Sequence, residues 1–401
     1  MPSLRRAGPV LLAACLTLTV FFTTEVTSYN NGLDSDGAYY ARMAEAPLFE
    51  HPKSVQAPWA HRVFTPALAS VLPGPVLNRF RVLAVVANVL SLFVMFHILK
   101  ALGFAGQRCY LGALLYAGVF WTLKFSFYSP VYIDFNTNLF LLLIIYGTVT
   151  RRYVALLPVL ALSALQKESL PLFSLFVAAD LLHQNSCRPG WRTGALALLI
   201  VFVPFACLRL LHAGDPSAGP SSPAIALEEA RRFLDRRFWP VFIHAVFSGL
   251  GLLPVLLAAR YRAWFAFLAR RPAFGVYLLI AAGALLGGVD KARLFLYALP
   301  VAVCLAVSAL GALGDEPVPR RRYALWVALF LCAHFYIGNC LTPLGTFEQY
   351  IAKLVPEHAR LLRAGDPTPF LIRDGIAGAV LYVLAMLLPF PARRADMCRA
   401  S

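Results

Sequence analysis

The sequence predicts an all-α fold: a polytopic membrane helix bundle of about 12 transmembrane segments. Three observations carry that prediction. Apolar residues make up 59% of the 401 and charged residues only 14%, with a mean hydropathy of +0.68, so charge is too sparse to solvate the surface of a soluble chain this long. Hydrophobic runs recur from one end to the other. Lys and Arg fall in short clusters between those runs, where membrane proteins carry their orientation signals. That spacing also disposes of the nucleic-acid reading that a net charge of +16 invites, because no continuous basic face forms. The eight Cys (15, 109, 187, 207, 304, 332, 340 and 398) lie mostly inside apolar runs, without a CxxC pair or a His/Cys cluster. Neither a zinc site nor a disulfide framework is indicated.

Taken in order, the expected segments are 8–24, 82–100, 107–123, 131–149, 153–166, 169–184, 193–211, 239–259, 273–288, 294–313, 323–339 and 374–390. The first follows Arg5 and Arg6, and Leu12-Ala13-Ala14-Cys15 resembles a lipoprotein cleavage site. Cleavage there would strand residues 16–22 as an apolar stub, so an uncleaved helix is expected. The basic clusters thread the chain with both termini inside: 18 basic residues against four acidic ones face inward, packed into short loops. Region 153–184 reads as a hairpin, since a single helix would invert everything after it and put Arg320, Arg321 and Arg322 outside. Its arms, about 21–24 Å long at 1.5 Å per residue, fall short of a core about 30 Å thick. The tip, Gln166-Lys167-Glu168-Ser169, should therefore be recessed and face a wet cavity.

Three outer loops are long: 25–81, 212–238 and 340–373. The second opens on a Pro/Gly/Ser stretch at 214–223, and its charged part, 226–237, reads as a helix lying on the membrane surface. There is no internal repeat and no separate soluble domain. The chain is one integral membrane domain, 1–401, with a core over 1–313 that includes outer loop 25–81, followed by C-terminal helices and outer loop 340–373 within 314–401.

The threading gathers charge at the outer ends of the segments: Asp34, Asp36, Arg62, Lys124, Asp134, Lys167, Glu168, Asp290, Lys291 and Arg293. Carboxylates mixed with cations suit a reaction in which a base takes a proton from a hydroxyl nucleophile and cations hold a leaving phosphate. Most of these residues also have a plainer reading. Asp34 or Asp36 can cap the helix that opens at Gly37, Asp134 can cap its own, and Lys167-Glu168 and Asp290-Lys291 can be solvent turns. Tyr39, Tyr40, Trp59, Trp121, Phe125, Phe127, Tyr128 and Tyr132 read as an interfacial aromatic belt, or as stacking platforms for a sugar ring. Co-location on one face favours the functional reading for the charges.

Four stretches together resemble bacterial members of the GT-C superfamily. They are Asp36-Gly37-Ala38-Tyr39-Tyr40-Ala41-Arg42-Met43-Ala44, Arg62-Val63-Phe64-Thr65-Pro66, Leu165-Gln166-Lys167-Glu168-Ser169 and the run from Asp290-Lys291-Ala292-Arg293 to Pro300. That superfamily comprises polytopic glycosyltransferases that take sugars from polyprenyl-phosphate carriers. The resemblance implies a catalytic acid and short helices in the first outer loop, and a bacterial plasma membrane setting. It matches Asp36 to the loop acid. Gly37 follows where the commoner pattern has a second acid, and Asp34 precedes, so both stay candidates for the base.

The expected function is transfer of a sugar from a polyprenyl-phosphate carrier to an envelope acceptor on the outer face. Arg62, Lys167 and Arg293 would meet the phosphate, with Lys124, Asp134, Glu168, Asp290, Lys291, Tyr39 and Tyr40 around the substrate. No metal or cofactor is required, although Asp34 and Asp36 offer oxygens to a divalent cation. The partners are the lipid-linked donor and membrane lipid, not nucleic acid. The competing classes are a secondary transporter and an envelope acyltransferase or glycan polymerase. Against the transporter stand the missing repeat, the lack of paired broken helices and polar residues gathered at one face.

Overall fold

The computed structural model describes residues 2–33, 36–46, 55, 58–186, 190–212, 222–287, 290–314, 320–340 and 346–355, with short pieces between 368 and 376. Every regular element among them is helical, and the one β feature is a single bridge between Val119 and Asn339. Segment 374–390, apart from residues 375 and 376, and residue Asp34 lie outside the described residues.

The all-helical expectation holds; the count of twelve spans does not follow from it. Two described helices, Val76–Ala101 and Trp191–Leu210, are long and apolar enough to cross a membrane. Three bent pairs raise the number to five: Trp239–Leu250 with Leu253–Ala259 (98°), Tyr261–Arg270 with Ala273–Ala284 (111°), and Lys291–Tyr297 with Leu299–Leu310 (65°). Ala7–Thr23, Asp134–Val149, Tyr153–Gln166, Leu170–Gln184 and Ala324–Ile337 are apolar but shorter. The outward faces are apolar too: in Trp191–Leu210 only 17% of the apolar window is buried, and Leu198 and Phe202 are exposed. A surface of that kind belongs in lipid, and the chain is an integral membrane protein.

Apolar runs and helices part company where tertiary contacts intervene. The run 107–123 is helical only over Gly106–Ala117. His334 stops it there. Its Nδ1 accepts from the Leu252 amide at 3.0 Å and its Nε2 lies 2.8 Å from the Leu115 carbonyl oxygen, joining three segments. Glycines make room for that ring: a Cβ would fall 2.6 Å from it at Gly118 and 2.4 Å at Gly251, which also holds φ +58. Residues 119–133 then form a buried plug around the short helix Phe125–Tyr128.

The loop 25–81 does carry short helices, Gly37–Glu45 and Phe64–Ser70. Asn30 and Asn31 turn the chain ahead of them in the left-handed conformation that Asn tolerates (φ 47 and 55). The hairpin is formed by Tyr153–Gln166 and Leu170–Gln184, and its 14-residue first arm is about 21 Å long. The charged helix of the second loop, Ser222–Leu234, does more than lie on a surface: it packs against the turn Leu285–Gly287.

Candidate active site

The described charges meet at the ends of five elements. Asp36 occupies the position before helix Gly37–Glu45, yet its side chain makes no capping hydrogen bond. Its backbone is already helical (φ −58, ψ −27), outside the extended region an N-cap adopts. The carboxylate instead faces Arg293, with Oδ2 3.9 Å from Nη2. Gly37 lets this corner approach the plug, since a Cβ there would lie 3.3 Å from Val131 Cβ.

Arg62 follows the turn Trp59–His61, and each of its three nitrogens makes a hydrogen bond. Nε and Nη2 donate to the two Glu168 oxygens at 2.9 and 2.5 Å, and Nη1 donates to the Tyr40 hydroxyl at 2.9 Å. At the hairpin tip, Lys167 Nζ donates to Asp134 Oδ1 at 3.2 Å and sits 5.4 Å from the Tyr297 ring centroid. Asp134 opens helix Asp134–Val149, and its second oxygen lies 3.7 Å from Arg293 Nη1. Asp290 does cap its short helix, accepting from the Arg293 amide at 3.3 Å, while its Oδ2 stands 3.6 Å from Arg293 Nε. Arg293 thus lies among three carboxylates at 3.6–3.9 Å and over the Tyr132 ring, with Nε buried and without a hydrogen bond.

A neutral network beneath fixes both halves of the tip. Gln166 accepts from Thr65 Oγ1 at 2.7 Å and donates to the Ile133 carbonyl at 2.7 Å and Thr137 Oγ1 at 3.2 Å; Asn136 donates to Thr65 Oγ1 at 2.9 Å. Ser169 and Tyr297 share a hydrogen bond of 2.9 Å.

The pairings govern protonation. Burial alone would raise the Glu168 carboxyl, but the Arg62 charge and its hydrogen bonds overcome burial and hold it down at about 2. Burial opposes the Arg62 charge, and Glu168 and Tyr40 more than restore it. Lys167 likewise stays charged against burial, helped by Tyr297 and Asp134. Burial pushes the Tyr40 hydroxyl up to about 12.

Eight expected residues therefore converge: Asp36, Tyr40, Arg62, Asp134, Lys167, Glu168, Asp290 and Arg293. The solvent-turn reading fails for Lys167, which is buried and paired; Asp36 makes no capping hydrogen bond, and Asp290, read from sequence as a turn, caps the short helix Lys291–Leu294. Three expected residues stand apart. Lys124 is buried beside Cys340. Lys291 turns to Glu229 at 2.6 Å and to the Leu285 carbonyl. Tyr39 stacks on Trp59, centroids 4.6 Å apart. The belt reading is overturned for Trp121, Phe125, Phe127 and Tyr128. They are buried and pack edge-on or tilted against one another and their neighbours, whereas a belt residue keeps one end in the wet interface. Glu229 was not singled out from sequence; its signal was an acidic pair three to four residues ahead of Arg232. No group of three His, Cys, Asp or Glu at metal-holding distance occurs among the described residues. Because Asp34 falls outside them, the pairing of Asp34 with Asp36 rests on sequence alone.

No family model and no curated protein matches the sequence. Among solved structures, the chain is similar to the oligosaccharyltransferase of Archaeoglobus fulgidus, crystallised with a tethered acceptor peptide containing the NVT sequon. The TM-score is 0.49 at 13% identity, over 84% of this chain and 55% of that one. The chain spans about half the length of that enzyme.

Proposed function

We propose that the protein is a membrane glycosyltransferase of the GT-C kind, transferring a sugar from a polyprenyl-phosphate carrier to an envelope acceptor hydroxyl. One observation carries the reading. Among the described carboxylates of the site, Asp36 accepts no hydrogen bond and is held only by a loose ion pair, 3.9 Å from the arginine whose own Nε is unsatisfied. Glu168 and Asp134 are bound down and Asp290 caps a helix.

The chemistry divides accordingly. The acceptor oxygen attacks the anomeric carbon, Asp36 takes its proton, and the bond from carbon to phosphate oxygen breaks. Polyprenyl phosphate leaves with the electron pair. Arg293 and Lys167, each with donors to spare, stabilise the charge that develops on it. Arg62 serves mainly as a brace: each of its nitrogens donates to Glu168 or Tyr40, which leaves one N–H on each Nη to turn toward a phosphate.

The test is transfer from a radiolabelled polyprenyl-phosphate sugar by purified, reconstituted protein. Asp36→Asn should lower the rate by about 10²–10⁴-fold, the usual contribution of a general base, with unchanged protein level. A near wild-type rate would remove Asp36 from the mechanism. The transporter reading gains from the three bent helix pairs, since transporters build sites from discontinuous helices. It predicts uptake of an intact solute without a glycosylated product, and the same vesicles decide between the two.

A further inference from the structure

The helices that carry the charged site at one end hold a basic pocket at the other. It has a volume of about 370 Å³ and is lined by Arg151, Tyr153, Leu181, Gln184, Asn185, Arg192, Thr193 and Leu196. Asp134 opens a 16-residue helix that ends just before Arg151, so the two sites are separated by about 24 Å of helix. We propose that this pocket binds the phosphate headgroup of an anionic phospholipid. The inference is independent of sugar transfer.

Arg151 is placed by a tight turn. It holds φ +59, its amide bonds the Thr148 carbonyl at 2.9 Å, and the next amide bonds Gly147 at 2.8 Å. A non-glycine residue in that conformation is costly and needs surroundings that over-determine it. Its guanidinium spends one nitrogen on the neutral Gln184 Oε1 at 2.8 Å and makes no ion pair among the described residues. Arg192 likewise has none; it lies 5.7 Å from the ring of Trp191. Among the described residues, the carboxylate nearest in sequence to this end, Asp180, already accepts from the Tyr153 hydroxyl at 2.7 Å. Two uncompensated guanidiniums with neutral donors between them form an anion site.

The apolar side of the pocket identifies the anion as a lipid. Leu181 and Leu196 line it, and Leu199, about one turn on from Leu196, and Leu182, beside Leu181, are exposed on Trp191–Leu210 and Leu170–Gln184. Acyl chains can follow those faces while the headgroup stays among the arginines. Trp191, 80% exposed beside Arg192, stands where an aromatic meets the headgroup layer.

Native mass spectrometry of the full-length protein in detergent tests this, with phosphatidylglycerol or phosphatidylcholine of identical acyl chains added. Phosphatidylglycerol adducts should dominate. The double variant Arg151→Gln/Arg192→Gln should weaken them about 25-fold, about fivefold for each basic contact, whereas Arg151→Lys/Arg192→Lys should keep most binding. Thr193→Asp, which leaves the bond between Arg151 and Gln184 intact and puts an acid at a helix start where it is tolerated, should give a comparable loss in a normally folded protein. Equal retention of the two lipids, or phosphatidylglycerol binding untouched by both the Gln pair and Thr193→Asp, would overturn the proposal. So would displacement of phosphatidylglycerol by millimolar inorganic phosphate, which would show a site for the free anion.

Discussion

Arg293 and Arg62 illustrate two uses of one side chain. Arg62 is locked into a fork with Glu168, whereas Arg293 is surrounded by Asp36, Asp134 and Asp290 at distances too long for hydrogen bonds. A fork cannot be made by an ammonium, so Arg62→Lys should destabilise the protein in detergent and displace the hairpin tip. Arg293→Lys should cost mainly turnover, at least tenfold in kcat, with little change in melting. Acid separates them further. Glu168 is held from an ordinary 4.5 down to about 2, so its pairing stabilises the folded state fully above pH 4.5 and loses that stabilisation as pH falls toward 2. Its side chain is 36% exposed, so solvent screening makes the effect modest. A melting series should show the wild type losing more stability between pH 4.5 and 2 than Glu168→Gln does; parallel curves would show that the pair contributes nothing. The charged residues themselves were legible in the sequence, because ionisable groups among apolar runs are expensive and therefore stand out. Their partners were less so. Lys291 and Arg293 are two residues apart, which on a helix rotates them about 200°; one faces Glu229 and the other the site.

At the scale of elements, the hairpin tip depends on a buried neutral network more than on its own charges. Gln166 bonds three groups from two other elements, and leaving them unsatisfied costs about 1–3 kcal/mol each. Gln166→Leu should therefore lower the melting temperature by several degrees and impair transfer through misplaced Lys167 and Asp134; an unaltered melt would show that water replaces the glutamine. The His334 junction is equally specific. A Cβ at Gly338 would fall 2.2 Å from the Gly118 carbonyl oxygen, so Gly338→Ala forces backbone apart and should destabilise by about 2 kcal/mol or more. Neither feature is visible in hydropathy. The apolar runs located most helices to within a few residues, but they extended one helix across 118–123, where a histidine from over 200 residues away ends it. The same runs merged Trp239–Leu250 and Leu253–Ala259 into one straight span, carried another across the bend between Tyr297 and Leu299, and left Tyr261–Arg270 in a loop. Periodicity records which residues avoid water, and a plug buried in protein avoids it as completely as a helix in lipid.

At the scale of the whole molecule, polarity across the bundle organises everything above. Helix Val76–Ala101 is about 39 Å long, enough to cross the hydrocarbon core once. Its far end packs beside the far end of Asp134–Val149, where His97 lies 6.5 Å from Tyr146, so both helices run from the charged site toward the basic pocket. The Thr27 amide, bonded to the Tyr128 carbonyl at 2.8 Å, ties the end of the first helix to the site. Two faces follow. Residues 28 and 73 belong with the site, and residues 107 and 186 with the pocket and its arginines, the face that basic loops orient inward. All four positions are exposed, so substitution by cysteine should leave the core intact. In a cysteine-free background, Ser28→Cys and Pro73→Cys should react with an impermeant maleimide from outside the cell. Gln107→Cys and Ser186→Cys should react only after the membrane is opened. Labelling of 73 and 107 from the same side would mean that the longest apolar helix does not cross, and labelling of 28 from inside would put the carboxylates of the site on the wrong face for an envelope acceptor. Because one crossing fixes the sign of every other, these four positions decide the orientation of the entire bundle without depending on how many of the shorter helices reach through.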